Sequence, residues 1–484
     1  MSLYTASDEC SILLVMKKMM ILRRFIAGAV LIGSVAILSL LSSCATTEEP
    51  GPSPEDDRAY QAVSLHMQTG DVQAAIDEFE NAEQAAPDDP ETAVLLANLY
   101  IAAGQYAEAQ QLLEQVVADH PNTASAWYSL ALLANARHEY DLSQELLLRV
   151  VSIDNSFAPA HAALGEHLLR ARRYSNAEQA FKQALDLDES NFVAHLGLGN
   201  VYIRQQEYEA AAAELDRAVE LQPDYSFAYS DRAQAYTGLG DRQKAIDDYT
   251  RAIELAPNYA FHYLDRGRLY SGGNMPEEAE QDFSRALELR PDDFYIRAQL
   301  ANVFFALFES EKAGELYSQV LEQRPDYFPA YLPYAIVQFE LAQYEAAARL
   351  FDQAFEESRK PGRNGVQIDW ALMMASAAAQ KLAGNEDAAV QYLAQKGAAM
   401  EREGSLWAVW RYYQQPSSDA HALQLVQDEE SDVLRTKCEF FLGAQYYASG
   451  QMTSAQRFLS LVAESQYVGQ PEHRMAQALL ENIE

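Results

Sequence analysis

The sequence predicts an all-α solenoid of stacked helix hairpins, and three columns of residues predict it. Shifted by 34 residues, the chain returns its own grammar: SFAYSDRAQAYTGLGDRQKAIDDYTRAIELAPNY, Ser226 to Tyr259, is followed by FHYLDRGRLYSGGNMPEEAEQDFSRALELRPDD. In one frame, nine units start at Asp56, Pro90, Ala124, Ala158, Phe192, Ser226, Ala260, Phe294 and Phe328. Their twentieth positions are Ala75, Ala109, Ser143, Ala177, Ala211, Ala245, Ala279, Ala313 and Ala347. Their eighth positions are Val63, Ala97, Ala131, Gly165, Gly199, Ala233, Gly267, Ala301 and Ala335. Proline closes six units at the thirty-second position: Pro87, Pro121, Pro223, Pro257, Pro291 and Pro325. Small side chains fit where two helices cross at about 8–10 Å between axes. A hairpin this short cannot bury its apolar face alone and must stack on copies of itself.

Each unit reads as two amphipathic helices. Tyr229, Ala233 and Tyr236 fall at helical spacing in the first, and Ala245, Tyr249, Ala252 and Ile253 in the second. Gly238, Gly240 and Asp241 supply the turn, and Pro257 ends the pair. Period and signature positions resemble the tetratricopeptide repeat (TPR), which implies a right-handed superhelix. Residues 56–361 hold the nine regular units; those at Ala124 and Ala158 carry Asn155 and Glu189 instead of the closing proline. The phase breaks at EESRKPGRNGVQ, and residues 362–435 read as degenerate helical repeats. There Ala377, Gly384, Ala389 and Leu393 suit a unit starting at Trp370, and an irregular helix pair surrounds Pro416. Residues 436–484 read as a last unit starting near Thr436, with Gly443, Tyr446, Gly450, Ala455 and Leu459 in place. The final helix, from Pro471, is expected to cap the exposed end.

The N-terminal stretch is a different material. Lys17, Lys18, Arg23 and Arg24 precede an apolar run from Phe25 to Leu41, then Ser42, Ser43 and Cys44. That order reads residues 1–43 as a secretory signal, with translation starting at Met16, Met19 or Met20. Leu41-Ser42-Ser43-Cys44 looks like a bacterial lipobox, which implies that Cys44 is lipidated and becomes the mature N-terminus. The competing reading is an uncleaved signal anchor, since an apolar run of this length just spans a bilayer. Residues 44–55, acidic and proline-rich, read as an extended tether. After cleavage only Cys44 and Cys438 remain, so no intramolecular disulfide is expected and Cys438 reads as a small buried side chain.

A second resemblance lies near the C-terminus. WAVWRYYQQP, CEFFLGAQYYASGQMTSAQRFLSLVAESQY and PEHRMAQALL look like the end of NlpI-type TPR lipoproteins of Gram-negative bacteria. Trp410, Tyr413, Phe441, Leu442, Gly443, Tyr446, Tyr447, Glu472, His473 and Arg474 carry the likeness. It implies a dimeric, membrane-tethered periplasmic adaptor that brings a protease and murein hydrolases together. Ala45 after the lipidated cysteine favours the outer membrane, by resemblance to enterobacterial sorting.

The chain's 71 acidic and 36 basic residues give −35, and removal of residues 1–43 leaves −37. That balance argues against nucleic acid and anionic head groups as partners. No GxxxxGK, GxSxG, HExxH or CxxC occurs, so no catalytic residue, metal or cofactor is expected. His161 and His195 share position four of neighbouring units, too far apart for one ion, and read as packing residues.

What remains is the groove. In the resembled family the first helix of each unit lines the concave surface, with positions 2, 5, 9, 12 and 13 facing a bound peptide. Position nine holds Asn98, Glu166, Asn200, Gln234, Arg268 and Asn302. The resemblance implies that asparagine there binds peptide backbone, since a carboxamide both donates and accepts. Arg170 and Arg204, at position 13, could meet a carboxylate bidentately. Ile101, Leu169, Ile203, Phe305 and Phe339, at position 12, read as exposed apolar contacts. Arg232 and Arg266 are expected to pair with Asp248 and Asp282 instead. The expected partners are proteins or peptide segments, with the chain itself a candidate homodimer at the periplasmic face. A pilotin-like or outer-membrane assembly lipoprotein is the nearest alternative. An envelope hydrolase or transferase is the alternative from another class.

Overall fold

The computed structural model describes residues 72–83, 90–359, 366–397, 403–415 and 419–483. The leader, Cys44, the tether, Val63, Pro87, the middle of the basic insertion and Pro416 lie outside them. Every regular element among the described residues is helical: 24 α-helices and one short 3₁₀ turn. No described helix is long and apolar enough to cross a membrane. The described residues fall into two compact units, one running to Ala256 and one starting at Pro257.

In the first unit, α1 (Val72–Glu83) precedes five hairpins. They are α2 and α3 (Pro90–Ala102, Tyr106–Asp119), α4 and α5 (Ala124–Ala136, Tyr140–Ile153), and α6 and α7 (Ala158–Arg170, Tyr174–Leu187). Then come α8 and α9 (Phe192–Gln205, Tyr208–Leu221), and α10 and α11 (Ser226–Leu239, Arg242–Leu255). Each first helix begins at the residue the 34-residue frame marks. The small columns lie where helices cross: Ala97, Ala109, Ala177, Ala211, Ala233 and Ala245 have no accessible surface. Where position eight is glycine the reason is steric. A Cβ on Gly165 would stand 2.6 Å from the Phe181 ring, and one on Gly199 2.5 Å from Leu215.

The hairpin turn repeats a second requirement. Position 15 adopts the left-handed conformation in each regular unit from Pro90 onward: Gly104, His138, Arg172, Gln206, Gly240, Asn274, Phe308 and Ala342. Gly240 and Asp241 therefore serve as turn and N-cap, the Asp241 side chain accepting from the Lys244 N–H. Gly238 does not belong to the turn. It lies inside α10, where a Cβ would meet the Tyr208 ring at 2.4 Å.

Between units the chain is pinned by a side chain at position four that donates to the carbonyl six residues earlier. Trp127 donates to Pro121 (2.9 Å), His161 to Asn155 (2.9 Å), His195 to Glu189 (3.0 Å) and Tyr229 to Pro223 (3.1 Å). In the second unit Tyr263, Arg297 and Tyr331 do the same to Pro257, Pro291 and Pro325. A proline carbonyl is free for this because the loop ends the preceding helix. The two histidines thus hold loops, as packing residues do.

The second unit has three regular hairpins: α12 and α13 (Ala260–Gly272, Pro276–Leu289), α14 and α15 (Phe294–Ala306, Ser310–Gln323), and α16 and α17 (Tyr331–Glu340, Tyr344–Ser358). Phe328–Ala330 forms the 3₁₀ turn before α16, with Pro329 in its first turn. Beyond them lie α18 (Val366–Leu382), α19 (Glu386–Lys396), α20 (Gly404–Gln414), α21 (Asp419–Gln427), α22 (Asp432–Ala448), α23 (Met452–Ala463) and α24 (Pro471–Glu481). The frames starting at Trp370 and Thr436 place Gly384 and Gly450 at the left-handed turn, but both first helices begin a turn earlier than the frame marks. Trp370 lies inside α18, and Ser431 caps α22 by accepting from the Leu434 N–H, a turn before Thr436. Nor does α24 simply cap the last hairpin. It packs on α22 and α23 and returns to α16, so one apolar core joins Tyr331, Phe339 and Phe351 to Tyr413, Phe440, Met475 and Leu479.

Candidate functional site

The candidate surface is the side of the first helices that carries positions 9, 12 and 13. In the first unit, Asn98 is 2% exposed and its Oδ1 has no hydrogen-bond partner among the described residues. Asn200 stands at the same register on α8; its Nδ2 donates to the Leu196 carbonyl (3.0 Å) and to Asp231 Oδ2 (2.8 Å). Between them, burial pushes the Glu166 carboxyl up to about 7, against the pull of the Arg170 charge. Arg170 lies over the Tyr140 ring, 4.1 Å from its centroid. Burial, then Arg170, lowers the neighbouring His167 to about 4, and its Nε2 stands 3.1 Å from Ser143 Oγ. Arg204 and Gln234 are half-buried on α8 and α10.

Position 12 departs from expectation. Ile101 and Ile203 are 8% and 7% exposed, Leu169 is half-buried, and all three pack into hydrophobic clusters. In the second unit Phe339 is buried, and Phe305 is half-buried beneath Arg474. The physical reason is the stacking: each first helix is flanked by other helices, so position 12 faces a neighbour and needs an apolar residue. Ile101, Ile203 and Phe339 are core, not a lining for ligand, while Leu169 and Phe305 stay half-buried.

The remaining residues of the second unit are also engaged. Arg268 bonds Asp265 Oδ1 (3.2 Å) and the Tyr295 hydroxyl, with its guanidinium 5.0 Å from that ring's centroid. Asn302 is exposed and accepts from the Tyr317 hydroxyl at 2.7 Å. The position-seven arginines behave as expected. Arg232 grips Asp248 at 2.8 and 2.7 Å, and Arg266 grips Asp282 at the same two distances. Asp216, a second carboxylate partner of Arg232 at 2.8 Å, has no signal in the sequence, nor has Arg474 as a clamp. The position-four pins had a signal in the sequence, a column of side chains able to donate.

The residues of the C-terminal resemblance are mostly interior. Tyr413 is fully buried and donates to the Phe441 carbonyl (2.8 Å); Glu472, His473 and Arg474 are 2%, 3% and 8% exposed. Cys438 is buried and its thiol is pushed up to about 12, chiefly by burial. Among the described residues no group of three or more His, Cys, Asp or Glu side chains could hold a metal ion.

Models of the tetratricopeptide repeat match residues 66–136, 168–235, 226–259 and 264–328. No curated protein sequence matches the chain. Among solved structures the chain is similar to MamA, at 25% identity over 33% of this chain and 94% of that one, with a TM-score of 0.31. It is similar to YrrB, described as a TPR protein with an unusual peptide-binding site, at 21% identity, 38% and 95% coverage and a TM-score of 0.33. It is also similar to pilF of Pseudomonas aeruginosa, at 18% identity, 46% and 97% coverage and a TM-score of 0.40. The chain is therefore built from tetratricopeptide repeats and has their all-α fold of stacked helix hairpins.

Proposed function

We propose that this chain is a lipid-tethered interaction scaffold of the bacterial envelope, periplasmic in exposure and without catalysis of its own, which holds a segment of a partner protein. The segment lies along the first helices of the unit ending at Ala256. The observation that carries the reading is Asn200, half-buried on α8 with its Nδ2 held by the Leu196 carbonyl and Asp231, which orients the amide oxygen toward an incoming N–H. A peptide main chain supplies N–H groups, and Asn98 carries the same carboxamide three units earlier. The net charge of −35 suits a partner with basic segments. By the C-terminal resemblance the partners include envelope proteases or murein hydrolases, and the scaffold works as a homodimer anchored in the outer membrane through Cys44.

In-cell crosslinking from the first-helix face tests the binding reading. Partners should be captured by the wild type and lost from Asn200→Ala, whereas an unchanged partner set would remove that face from consideration. Cys44→Ser should release the chain from membranes or leave an unprocessed precursor. Normal processing with full membrane retention would exclude lipidation.

A further inference from the structure

Arg474, on α24, reaches back 134 residues to Glu340. Its Nε donates to Glu340 Oε1 at 2.5 Å and a terminal nitrogen to Oε2 at 2.8 Å, while the other terminal nitrogen donates to the Phe305 carbonyl. The guanidinium lies 3.8 Å from the Phe305 ring centroid and 4.3 Å from that of Phe308. Ser310 Oγ donates to Glu340 Oε2 at 2.5 Å and holds the carboxylate in place. Phe308 adds an independent sign: its ring is 61% exposed, at the left-handed turn position that five other units also fill with a residue other than glycine.

Phe305, Glu340 and Phe308 stand at positions 12, 13 and 15, at the end of the first helices where the repeats of the other unit present Arg170 and Arg204. We propose that this part of α14 and α16 is a receptor for an arginine-bearing helical segment, and that α24 is its built-in occupant. Two aromatic faces, a bidentate carboxylate and a main-chain carbonyl satisfy a guanidinium and would not satisfy an ammonium equally. A partner segment of this chemistry is excluded while α24 is seated. The inference rests on the reading of the first helices as binding surfaces, but its site lies in the other unit, so the two fail separately.

The test nicks the full chain beside Val468, which is 60% exposed in the loop before α24, through a protease site inserted there. A fluorescein-labelled peptide with the sequence of residues 469–483 is then added to nicked and intact protein. The nicked protein should take up the labelled peptide, an R474A peptide should bind at least tenfold more weakly, and the intact protein should take up neither. Three results would each overturn the proposal. The nicked protein could refuse the label, because Met475, Ala476 and Leu479 hold α24 as permanent core. It could bind the R474A peptide equally well. It could lose its helical circular dichroism on nicking. Loss of partner capture by Asn200→Ala would be unaffected in all three cases.

Discussion

Arg232 holds Asp248 with two parallel hydrogen bonds, from Nε to Oδ2 at 2.8 Å and from a terminal nitrogen to Oδ1 at 2.7 Å. Asp248 is 6% exposed, so its charge is desolvated and depends on that fork. A third bond to Asp216 ties the hairpin of α10 and α11 to the one before it. The same fork recurs 34 residues on between Arg266 and Asp282.

Arg232→Ala should therefore destabilise by about 3 kcal/mol, because it strands a buried carboxylate. The double variant Arg232→Met with Asp248→Leu should recover most of that loss, since it removes both desolvated charges together. In a nearest-neighbour array the damage stays local, so amide exchange should rise first over residues 226–255 and adjacent helices. A uniform rise over all repeats would contradict the account.

Phe181 gives the second prediction. Its ring fills the space left by two glycines: a Cβ on Gly165 would approach it to 2.6 Å and one on Gly197 to 2.2 Å. Gly197→Ala gains about 1 kcal/mol of helix propensity but forces apart a fully buried ring, so the net effect should be a loss of about 1–2 kcal/mol. Gly272→Ala, with nothing within 4 Å of the added methyl, should be neutral or stabilising by up to about 1 kcal/mol. Ala245→Leu belongs with the first case, at about 1–3 kcal/mol. Thermal melts of the three variants decide the ordering.

These residues also show where the sequence was legible. The 34-residue frame locates each regular first helix because small side chains at two crossings leave a column visible by eye. Gly197 and Gly238 were not legible as packing sites, because their partners, Phe181 and Tyr208, are found only once the hairpins stack. Position 12 misled for a related reason: its apolar side chains carry no mark that separates an exposed contact from a buried one. Past Ser358 the period fails, and α24 returning to Glu340 is a long-range pairing that no local spacing encodes. Arg474 was visible only as part of a resemblance, with its partner unnamed.

Two histidines should give opposite pH signatures. For His195, burial alone would lower the pKa. The Glu214 carboxylate at 2.7 Å and the Glu189 carbonyl outweigh burial and the Arg217 charge, and the imidazole lies above its ordinary value. Its contribution to stability is full below about pH 6.5 and is lost as pH rises through the raised folded pKa. For His167 the folded pKa falls to about 4, so stability is retained above about pH 6.5 and is lost as pH drops toward 4. His195→Gln should therefore converge with the wild type as pH rises, and His167→Gln should overtake it as pH falls. Parallel stability curves for either pair across pH 4–9 would refute the assignment.

The last prediction concerns binding. Asn200 is already bonded through Nδ2 to Leu196 and Asp231, so the side chain is oriented before any partner arrives. Pre-orientation lowers the entropy lost on binding, and the amide oxygen is the side that a partner N–H would take. Asn200→Ala should weaken partner binding by about tenfold, equivalent to about 1.4 kcal/mol. Arg204→Ala should weaken it similarly and flatten the salt dependence if the partner brings a carboxylate. Ile203→Ala is a different case: as a core residue it should lower stability by about 2–4 kcal/mol, with affinity falling only as the fold does. Arg217→Ala, on the exposed second helix beside Glu220, should change neither quantity. Affinity for a crosslinked partner would be measured on all four variants alongside melting curves. If Asn200→Ala and Arg204→Ala melt and bind like the wild type, the first-helix face of that unit is not the site. The side of α20 that bears Trp407 and Trp410, whose Nε1 atoms are both buried without partners among the described residues, then becomes the surface to mutate.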